Sequence, residues 1–250
     1  MNKLVKIYGE RNTNTNYLGE LIRLNLVLPE LPGVVPANIK RYQDKWPGNE
    51  WLRDLYFLSS YGRNLGWKHA AVDWPRLKKT GIYKRNRVTV VTLTKNPYAW
   101  LLSLYKRPYH QYYAKKPTFS EFLERPWKTV WREGMPRWVE SPVHLWNAKN
   151  ASYLREADEG RALHLRAEDT LIDPQQVINR IAHVAGVTTA SEFHNVLRST
   201  KDDSKDFDYY RQYYLSDGWR AGLSENDVKV INKKLDRAIV DRFGYALISS

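Results

Sequence analysis

The sequence predicts an α/β fold in which a central parallel sheet is flanked by helices. Short β-branched or apolar runs at residues 4–8, 87–95 and 162–166 alternate with segments whose apolar residues recur at helical spacing. Strands that alternate with helices form parallel sheets covered on both faces, because each crossover lays a helix against the sheet. With 250 residues the chain is long enough to bury the core of one such domain. We therefore predict a single domain over residues 1–250.

The first half of the chain contains three predicted strands. Residues 4–8 form the first, which is followed by a polar turn and by a helix that begins near Thr15. A second strand is predicted at residues 65–69. The run RVTVVTLTK, at residues 87–95, is continuous and β-branched, so it is the clearest buried strand. A helix follows it directly, with Pro97 in the first turn, where proline is favoured.

Helices dominate the second half of the chain. A helix is predicted over residues 141–154, and another has Asp173 as its N-cap and Gly186 beyond its last turn. The last helix is predicted to run from Ser224 to Gly244 without a break, because its apolar residues recur every three or four positions. Three stretches rich in proline, glycine or polar residues are predicted to be irregular insertions, at about residues 28–60, 107–138 and 188–223.

The composition restricts the partners of the protein and excludes some kinds of site. Lys and Arg number 40 against 27 Asp and Glu, and this net charge of +13 favours a nucleic acid, an anionic glycan or a highly charged nucleotide. With no cysteine, the chain has no disulfide and no thiolate metal site. No apolar run reaches membrane-spanning length and the N-terminus lacks a signal-peptide pattern, so we expect a cytoplasmic protein. The oligomeric state is not predicted.

The segment KIYGERNTNTNYLGELI, at residues 6–22, has the order strand, polar loop, helix N-terminus. Such a loop binds phosphate or sulfate, because backbone N–H groups and the helix dipole converge on it. Arg11 adds a full positive charge, and Asn14 tolerates the left-handed backbone conformation that such loops require. The alternative is a purely structural role, in which the segment is an N-capped helix after a polar turn. The Walker signature GKS or GKT is absent, which disfavours a small-molecule kinase.

A second polar cluster lies in TKNPYAWLLSLY, where Lys95 ends a strand and Ser103 follows eight residues later. Here the chain resembles the sulfotransferases that use 3'-phosphoadenosine 5'-phosphosulfate (PAPS). That family has a 5'-phosphosulfate loop of the PKSGTTW type, and an Arg-Asn-Pro stretch with a serine eight positions after the arginine. Lys95 through Pro97 and Ser103 match that stretch with lysine for arginine, and residues 13–17 match SGTTW. LRAEDTLIDP and INKKLD…FGY resemble later segments of the family.

The resemblance implies a P-loop-like three-layer fold, PAPS as sulfate donor, 3'-phosphoadenosine 5'-phosphate (PAP) as product, and no metal. The family's loop lysine aligns with Asn12 and its loop glycine with Asn14, so Arg11 is the cation expected near the sulfuryl group. Lys95 and Ser103 are expected to grip the 3'-phosphate, together with Arg220, for which Arg211 and Lys201 are alternatives. The residues expected to bind the cofactor are Arg11, Asn12, Thr13, Asn14, Thr15, Asn16, Tyr17, Lys95, Ser103 and Arg220.

Sulfuryl transfer requires a general base that removes a proton from the acceptor hydroxyl or amine. His69, in LGWKHAAV, resembles the histidine of the family's Lys-Thr-His segment and is the predicted base, with Lys68 as a sulfate contact. His110 is the second candidate. Trp127, Trp131 and Trp138 are candidates for the lining of the acceptor site, but aromatic rings do not identify the acceptor. A saccharide is one of several acceptors that the sequence leaves open.

Two other functions remain open at this stage. One is a nucleic-acid-binding or nucleotide-binding protein without catalysis, which the net charge of +13 would favour. Nucleic acid is disfavoured as a partner, because no recognition motif is present and the basic residues are interspersed with acidic ones. The other is a small-molecule kinase, which the missing Walker lysine disfavours.

Overall fold

A computed structural model of the chain describes residues 1–46, 50–198 and 204–249. In these residues three strands form one parallel sheet in the order β1-β2-β5, and a short antiparallel pair, β3 and β4, lies apart from it. The strands are β1 (Lys3–Gly9), β2 (Arg87–Thr94), β3 (Trp127–Lys128), β4 (Trp138–Val139) and β5 (Ala162–Arg166).

Helices account for most of the rest of the described chain, together with two short 3-10 turns at Trp131–Glu133 and Arg220–Gly222. The helices are α1 (Thr15–Asn25), α2 (Ala37–Asp44), α3 (Trp51–Asn64), α4 (Trp74–Lys79), α5 (Gly81–Arg85), α6 (Pro97–Lys106), α7 (Phe119–Glu124), α8 (Pro142–Leu154), α9 (Asp169–Ile172), α10 (Pro174–Ala185), α11 (Phe207–Leu215), α12 (Glu225–Lys234) and α13 (Arg237–Arg242). None of them is long and apolar enough to cross a lipid bilayer.

The parallel sheet is covered on both faces, as the sequence predicts. Strand β2 is central and pairs in parallel with β1 and with β5, and it is buried at every position after its first residue. On one face Val5 and Val91 pack against α1 and α10, and on the other face Tyr8 and Val90 pack against Trp74 and its neighbours. A further cluster joins α6, α8, α12 and α13. The fold is therefore a single α/β domain with a central parallel sheet flanked by helices.

The predicted starts of α6, α8 and α10 are confirmed by their caps, whereas α1 begins at Thr15 as predicted but has no side-chain cap. Asn96 accepts hydrogen bonds from two backbone N–H groups of the first turn of α6, and Ser141 accepts from the N–H of His144 in α8. Asp173 caps α10, and Gly186 ends it in the left-handed conformation, at φ 66°. The side chains of Asn96, Ser141 and Asp173 each accept from an N–H group that the first turn of a helix leaves unpaired. For this reason the sequence located these helix starts well.

The strand predicted at residues 65–69 is wrong. Helix α3 continues to Asn64, and Leu65 and Gly66 then have φ of 61° and 88°, which strand backbone does not allow. The chain turns back instead, and the N–H of Gly9 donates to the carbonyl oxygen of Lys68 at 2.8 Å. This bond joins the segment that carries Lys68 and His69 to the end of β1 without adding a strand to the sheet.

The insertions contain more helix than the sequence predicts. Helices α2 and α3 fall largely within residues 28–60, α7 lies within 107–138, and α11 lies within 188–223. Helix α11 is stabilised by ring contacts at helical spacing, since Tyr209 stacks on Tyr213 and Tyr210 on Tyr214. The polar composition of residues 188–223 predicted an irregular segment, although its aromatic residues contact one another in a short helix.

The uninterrupted last helix predicted from Ser224 to Gly244 is also wrong, because the chain forms α12 and α13 with a break between them. Leu235 is extended, and the Asp236 side chain accepts hydrogen bonds from the N–H groups of Ala238 and Ile239. The Asp236 N–H itself donates to the side-chain oxygen of Asn147 in α8. An aspartate cap inside the apolar pattern thus starts a new helix at a position where the period alone indicated continuation.

Candidate functional site

The loop between β1 and α1 lies at the carboxyl edge of the sheet, where ligands bind in parallel α/β folds. Asn12 and Asn14 both have left-handed backbones, with φ of 67° and 62°. Gly9 precedes the loop, and a Cβ on it would lie 2.8 Å from the carbonyl oxygen of Leu93 in β2 and 2.8 Å from the side chain of Thr13. Glycine is therefore required where the loop leaves the sheet, and the asparagines supply the bends that follow.

The loop is held by its own hydrogen bonds and by α6. The Thr13 hydroxyl donates to the carbonyl oxygen of Glu10 at 2.5 Å, and the indole N–H of Trp100 donates to the carbonyl oxygen of Arg11 at 2.9 Å. Tyr109 donates its hydroxyl hydrogen to the side-chain oxygen of Asn12 at 2.8 Å, while the buried amide nitrogen of Asn12 has no partner. The loop thus leaves a buried donor that an anion would satisfy.

Lys95 and Ser103 meet as the spacing predicts. Lys95 is 2% exposed, and its Nζ lies 3.3 Å from the Ser103 hydroxyl and 3.4 Å from the carbonyl oxygen of Asn12. The contact arises because β2 ends at Thr94 and α6 begins at once, so that position 103 returns to the strand end after two helical turns. A cation and a hydroxyl therefore stand together next to the loop.

Tyr214 of α11 covers this pair. The Lys95 Nζ lies 3.6 Å from the centre of the Tyr214 ring. Burial raises the pKa of the Tyr214 phenol, but the positive charge of Lys95 and hydrogen bonds with Lys95 and Ser103 lower it overall. Helix α11 thus places a phenol on the cation and the hydroxyl that the sequence singles out.

A cavity of about 310 Å³ lies between the loop, the end of α6 and α11. The predicted residues Arg11, Asn12, Asn14, Thr15, Asn16 and Tyr17 line it, together with Ser103 and His69. Four further cations line it that the sequence did not single out: Lys106, Arg107, Arg198 and Lys205. Such a concentration of cations around a polar cavity favours a ligand with several negative charges.

His69 lies at the edge of this cavity, with one ring nitrogen engaged. Its Nδ1 lies 2.6 Å from the carbonyl oxygen of Gly9, which can only accept, so Nδ1 carries the hydrogen and Nε2 keeps its lone pair. Burial lowers the pKa of His69 well below 6.5, and the charges of Arg11 and Lys68 lower it further. His69 is therefore a neutral imidazole at pH 7 with a basic nitrogen available.

His110, the second candidate base, has both ring nitrogens engaged. Its Nε2 lies 2.6 Å from the carbonyl oxygen of Lys128 and must donate, while its Nδ1 accepts from Arg11 Nη2 at 3.2 Å. Burial lowers the pKa of His110, and the charge of Arg11 adds to this effect. Its contacts give His110 the role of holding Arg11, and they favour His69 as the base.

Arg11 is fixed from several sides. Its guanidinium lies 4.7 Å from the ring centres of both Trp67 and Tyr109, and its Nη1 forms an ion pair of 3.1 Å with Glu133. Burial on its own would raise the pKa of Glu133, but Lys149 and Arg11 beside it lower the pKa overall. Arg11 is thus a positioned cation whose charge is partly balanced by the buried carboxylate of Glu133.

Lys149 connects this group to the base. Its ammonium is fully buried and lies 2.9 Å from Glu10, 3.8 Å from Glu133 and 2.5 Å from the carbonyl oxygen of His69. Two carboxylates and two cations, Glu10, Glu133, Arg11 and Lys149, therefore form one buried cluster. This cluster ties the loop after β1 to α8 and to the segment that carries His69.

Several predicted residues lie elsewhere. Lys68 lines neither cavity, because its side chain donates to Asn16 Oδ1. Arg220 and Arg211 are exposed and do not line the cavity, and Lys201 lies outside the described residues. Tyr17 stacks on Phe207, at 5.9 Å between ring centres, and donates to Asn195 at 2.7 Å.

The three tryptophans proposed for the acceptor site line neither this cavity nor the second one described below. Trp127 is buried against Phe122 and His110, whereas Trp131 and Trp138 are 80% and 56% exposed.

A second cavity, of about 470 Å³, opens on the other side of His69. Three residues line both cavities and form the boundary between them: Arg11, His69 and Tyr109. The aromatic residues of the second cavity are Trp67, Tyr109 and Tyr112. The imidazole of His69, whose Nε2 has no hydrogen-bond partner among the described residues, therefore lies between the two cavities.

Sequence reasoning missed the residues that act through long-range packing. Glu133 and Lys149 carry no local motif, and only the fold brings them to Glu10 and Arg11. Tyr214 had a signal in the run YYRQYY, whose tyrosines recur at i and i+4, the spacing of one helix face.

No family model matches the sequence, and no curated protein matches it. Among solved structures, the sulfotransferase domain from the curacin biosynthetic pathway aligns with a TM-score of 0.51 at 11% identity, over 99% of each chain. The sulfotransferase domain of the Synechococcus PCC 7002 olefin synthase aligns with a TM-score of 0.46 at 14% identity, over 93% of this chain and 94% of that one. A sulfotransferase from Alicyclobacillus acidocaldarius aligns with a TM-score of 0.44 at 15% identity, over 99% and 98%. The first of these similarities extends over the whole chain, and the protein therefore has a sulfotransferase-like fold.

Proposed function

We propose that the protein is a sulfotransferase that moves a sulfuryl group from PAPS to a hydroxyl or amine of an acceptor, with His69 as general base. The observation that carries this proposal is the position of His69. Its Nδ1 is anchored on Gly9, its Nε2 is free, and it lines both the cation-rich cavity and the second cavity. A base at such a boundary can take a proton from an acceptor bound in one cavity while the sulfate donor is bound in the other.

The residues of the first cavity fit a nucleotide with phosphate groups at both ends. The left-handed loop and the N-terminus of α1 suit a 5'-phosphosulfate, and the unpaired amide nitrogen of Asn12 is a donor for it. Ser103 lines the cavity, and Lys95 lies beside it behind the Tyr214 ring; together they supply a separate hydroxyl and cation for a 3'-phosphate. Tyr17, which lines the same cavity and is stacked on Phe207, is the aromatic residue proposed to contact the adenine.

PAPS bound here would supply an activated sulfuryl group, which the acceptor oxygen or nitrogen would take up as the bond from sulfur to the phosphate oxygen breaks and PAP leaves with the electron pair. His69 receives the acceptor proton at Nε2, and its Nδ1 hydrogen bond to Gly9 keeps the ring in the required tautomer. Arg11, which lines both cavities and is held by Glu133 and Trp67, is the cation proposed to lie beside the sulfuryl group. Positioned cations of this kind stabilise negative charge that develops on the leaving phosphate.

The proposed binding of PAPS requires that Tyr214 move away from Lys95. Because its ring lies on Lys95, a 3'-phosphate reaches Lys95 and Ser103 only after Tyr214 has turned away. A change of this kind lowers the apparent affinity by the fraction of molecules that have the open arrangement. No residue of helix α11 is fully buried, but Tyr213 and Tyr214 pack against the core cluster of α6, so displacement of the helix would expose part of these rings.

Binding of PAP tests the proposal directly. A ligand that binds only the folded protein raises its stability, by about 2.7 kcal/mol at one hundred times its Kd. We expect PAP to raise the melting temperature much more than AMP, ATP or an oligonucleotide at equal concentration. Equal stabilisation by AMP and PAP would contradict a 3'-phosphate site, and stabilisation by the oligonucleotide alone would favour nucleic-acid binding.

The ion pair between Arg11 and Glu133 favours a second candidate, a protein that binds PAPS without transferring the sulfuryl group. Arg11 is the cation expected near the sulfuryl group, and its charge is already balanced by a carboxylate 3.1 Å away. The two functions differ in the release of PAP from PAPS in the presence of a mixture of acceptors. Release that depends on an acceptor and is lost in His69→Ala supports the transferase, whereas PAP-selective binding without release supports the binding protein.

A further inference from the structure

We propose that the second cavity holds the acceptor, and that this acceptor is a neutral polyhydroxylated molecule such as a hexopyranoside. The inference rests on the proposed function, since it assigns the substrate class of the reaction at His69. Its first support is position. Arg11, His69 and Tyr109 line both cavities, so a hydroxyl that enters from the second cavity reaches the same histidine as the sulfate donor in the first.

The lining of the second cavity disfavours an apolar acceptor. Among the described residues that line it, every one carries a charged, amide or aromatic side chain, and none is aliphatic. A phenol with a large apolar body, a steroid or an acyl chain would remove water from these charges without replacing its hydrogen bonds. Sites for apolar ligands are lined mainly by hydrophobic side chains, which this cavity offers only as aromatic rings.

The charges of the second cavity also disfavour an anionic acceptor, although the chain as a whole carries +13. Each guanidinium in its described lining is already paired with a carboxylate. Arg53 lies 2.9 Å from Asp44, Arg132 lies 2.5 Å from Glu50 and 2.7 Å from Asp54, and Arg11 lies 3.1 Å from Glu133. A sulfate or carboxylate on the acceptor would have to compete with these pairs. Hydroxyl groups can bind to them without separating them, since a hydroxyl both donates and accepts.

Two side chains of this cavity match a sugar ring. Gln43 is 4% exposed, and its side-chain oxygen has no hydrogen-bond partner, so it can accept from a hydroxyl. Tyr112 is 68% exposed at the cavity and presents a ring with an apolar face and a polar tip. The C–H face of a hexopyranose packs on such a ring while its hydroxyls reach the surrounding polar groups.

Binding in the presence of saturating PAP tests this acceptor class without relying on turnover. Saturation-transfer NMR with neutral methyl hexosides of the gluco, galacto and manno series is compared with a methyl glucuronide and with 2-naphthol. We expect signal from at least one neutral hexoside, and little from the glucuronide or the naphthol. Tyr112→Ala should weaken that binding by about fivefold through loss of the ring face, and Gln43→Met should weaken it through loss of the acceptor oxygen.

The matched control is Tyr42→Ala, because Tyr42 is 65% exposed and does not line the cavity, so this variant should bind the hexoside like the wild type. Both tyrosines are on the surface, so folding should be unaffected in either variant. Preferential binding of the naphthol or the glucuronide, no signal from any neutral hexoside, or equal effects of the two tyrosine variants would overturn the inference. If the wild-type protein did not bind PAP at all, that result would instead contradict the proposed function.

Discussion

The imidazole of His69 donates from Nδ1 to the carbonyl oxygen of Gly9 at 2.6 Å, and Gly9 is the last residue of β1. The backbones of the two segments are also joined, because the Gly9 N–H donates to the carbonyl oxygen of Lys68, the residue before His69. Two hydrogen bonds thus connect the candidate base to the strand from which the anion loop emerges. The orientation of the base and the origin of the loop are therefore set by the same residue.

Replacement of His69 should separate catalysis from binding. We expect His69→Ala to reduce turnover by about 100-fold to 10,000-fold, the range for loss of a general base. The affinity for PAP should stay within about twofold, since His69 lies at the edge of the first cavity rather than in the 3'-phosphate region. Steady-state turnover and PAP calorimetry measure the two effects. His183→Ala, at an exposed histidine of α10, is the control. A large loss of PAP affinity in His69→Ala would reassign the residue to cofactor binding.

The pH dependence of turnover should reflect the lowered pKa of His69. Burial and the charges of Arg11 and Lys68 place this pKa well below 6.5, so the basic form is retained as the pH falls through 6.5. Turnover should therefore stay level from pH 8 to pH 6 and fall only at more acidic pH, where Nε2 becomes protonated. A profile of kcat/KM for PAPS against pH, which reports the pKa of the free enzyme, checks this. A midpoint at or above 6.5 would show that the base is solvated or that another group titrates.

Lys95 and Ser103 should determine selectivity for the 3'-phosphate. Loss of a charged hydrogen bond costs ~1.5–3 kcal/mol, so Lys95→Met should weaken PAP binding by about 10-fold to 100-fold and Ser103→Ala somewhat less. Binding of AMP, which lacks the 3'-phosphate, should change little in either variant. Calorimetric titration with both nucleotides gives the selectivity, and Ser59→Ala, at an exposed helical serine, is a control for Ser103→Ala. Equal losses for PAP and AMP would place the 3'-phosphate elsewhere.

Removal of the Tyr214 ring should strengthen binding of PAP. The ring lies 3.6 Å from the Lys95 ammonium and competes with a phosphate for it. A cation–π contact of this kind is worth ~1 kcal/mol, so Tyr214→Ala should lower the Kd for PAP about threefold to tenfold. Tyr214→Phe, which keeps the ring and removes the hydroxyl, should show a smaller gain. If Tyr214→Ala bound PAP more weakly than the wild type, Tyr214 would be a ligand of the nucleotide rather than a cover.

The buried cluster around Lys149 should contribute strongly to stability. Lys149→Met leaves Glu10 in the interior without its cation, and loss of one partner of a buried pair costs ~3–5 kcal/mol of unfolding free energy. The double variant Lys149→Met with Glu10→Gln should recover part of this loss, because it also removes the unpaired charge. Denaturant unfolding of the wild type, both single variants and the double variant gives the coupling energy. Additive effects of the two substitutions would show that the ion pair is not coupled.

Local signals predicted the parts of the fold that depend on neighbouring residues. Asn96, Asp173 and Gly186 mark helix ends through bonds to their own turns, and Lys95 and Ser103 meet because a strand and a helix of fixed geometry lie between them. These relationships involve few residues along the chain. For the same reason the loop after β1 was located to the residue, including the left-handed backbone at Asn14.

What the sequence could not predict depends on distant contacts. Residues 65–69 begin with a short apolar run, like a strand, but they are fixed by the end of α3 and by two hydrogen bonds to Gly9. The second cavity takes its aromatic lining from Trp67, Tyr109 and Tyr112 rather than from the three tryptophans downstream, and no local period distinguishes the two sets. Leu235 continues an apolar pattern, yet the cap formed by Asp236 outweighs it.

The register of the sheet has a consequence for the newly made chain. Lys3 pairs with Arg87, and β5 joins β2 only from Ala162 onward. During synthesis β1 therefore leaves the ribosome long before its partner strand β2 exists, and β2 in turn before β5, so the apolar residues of β1 and the backbone groups that face β2 are unpaired. Contacts so distant in sequence slow folding and prolong exposure of aggregation-prone strands. Chaperone capture of nascent chains should accordingly be strongest for chains that end before residue 87.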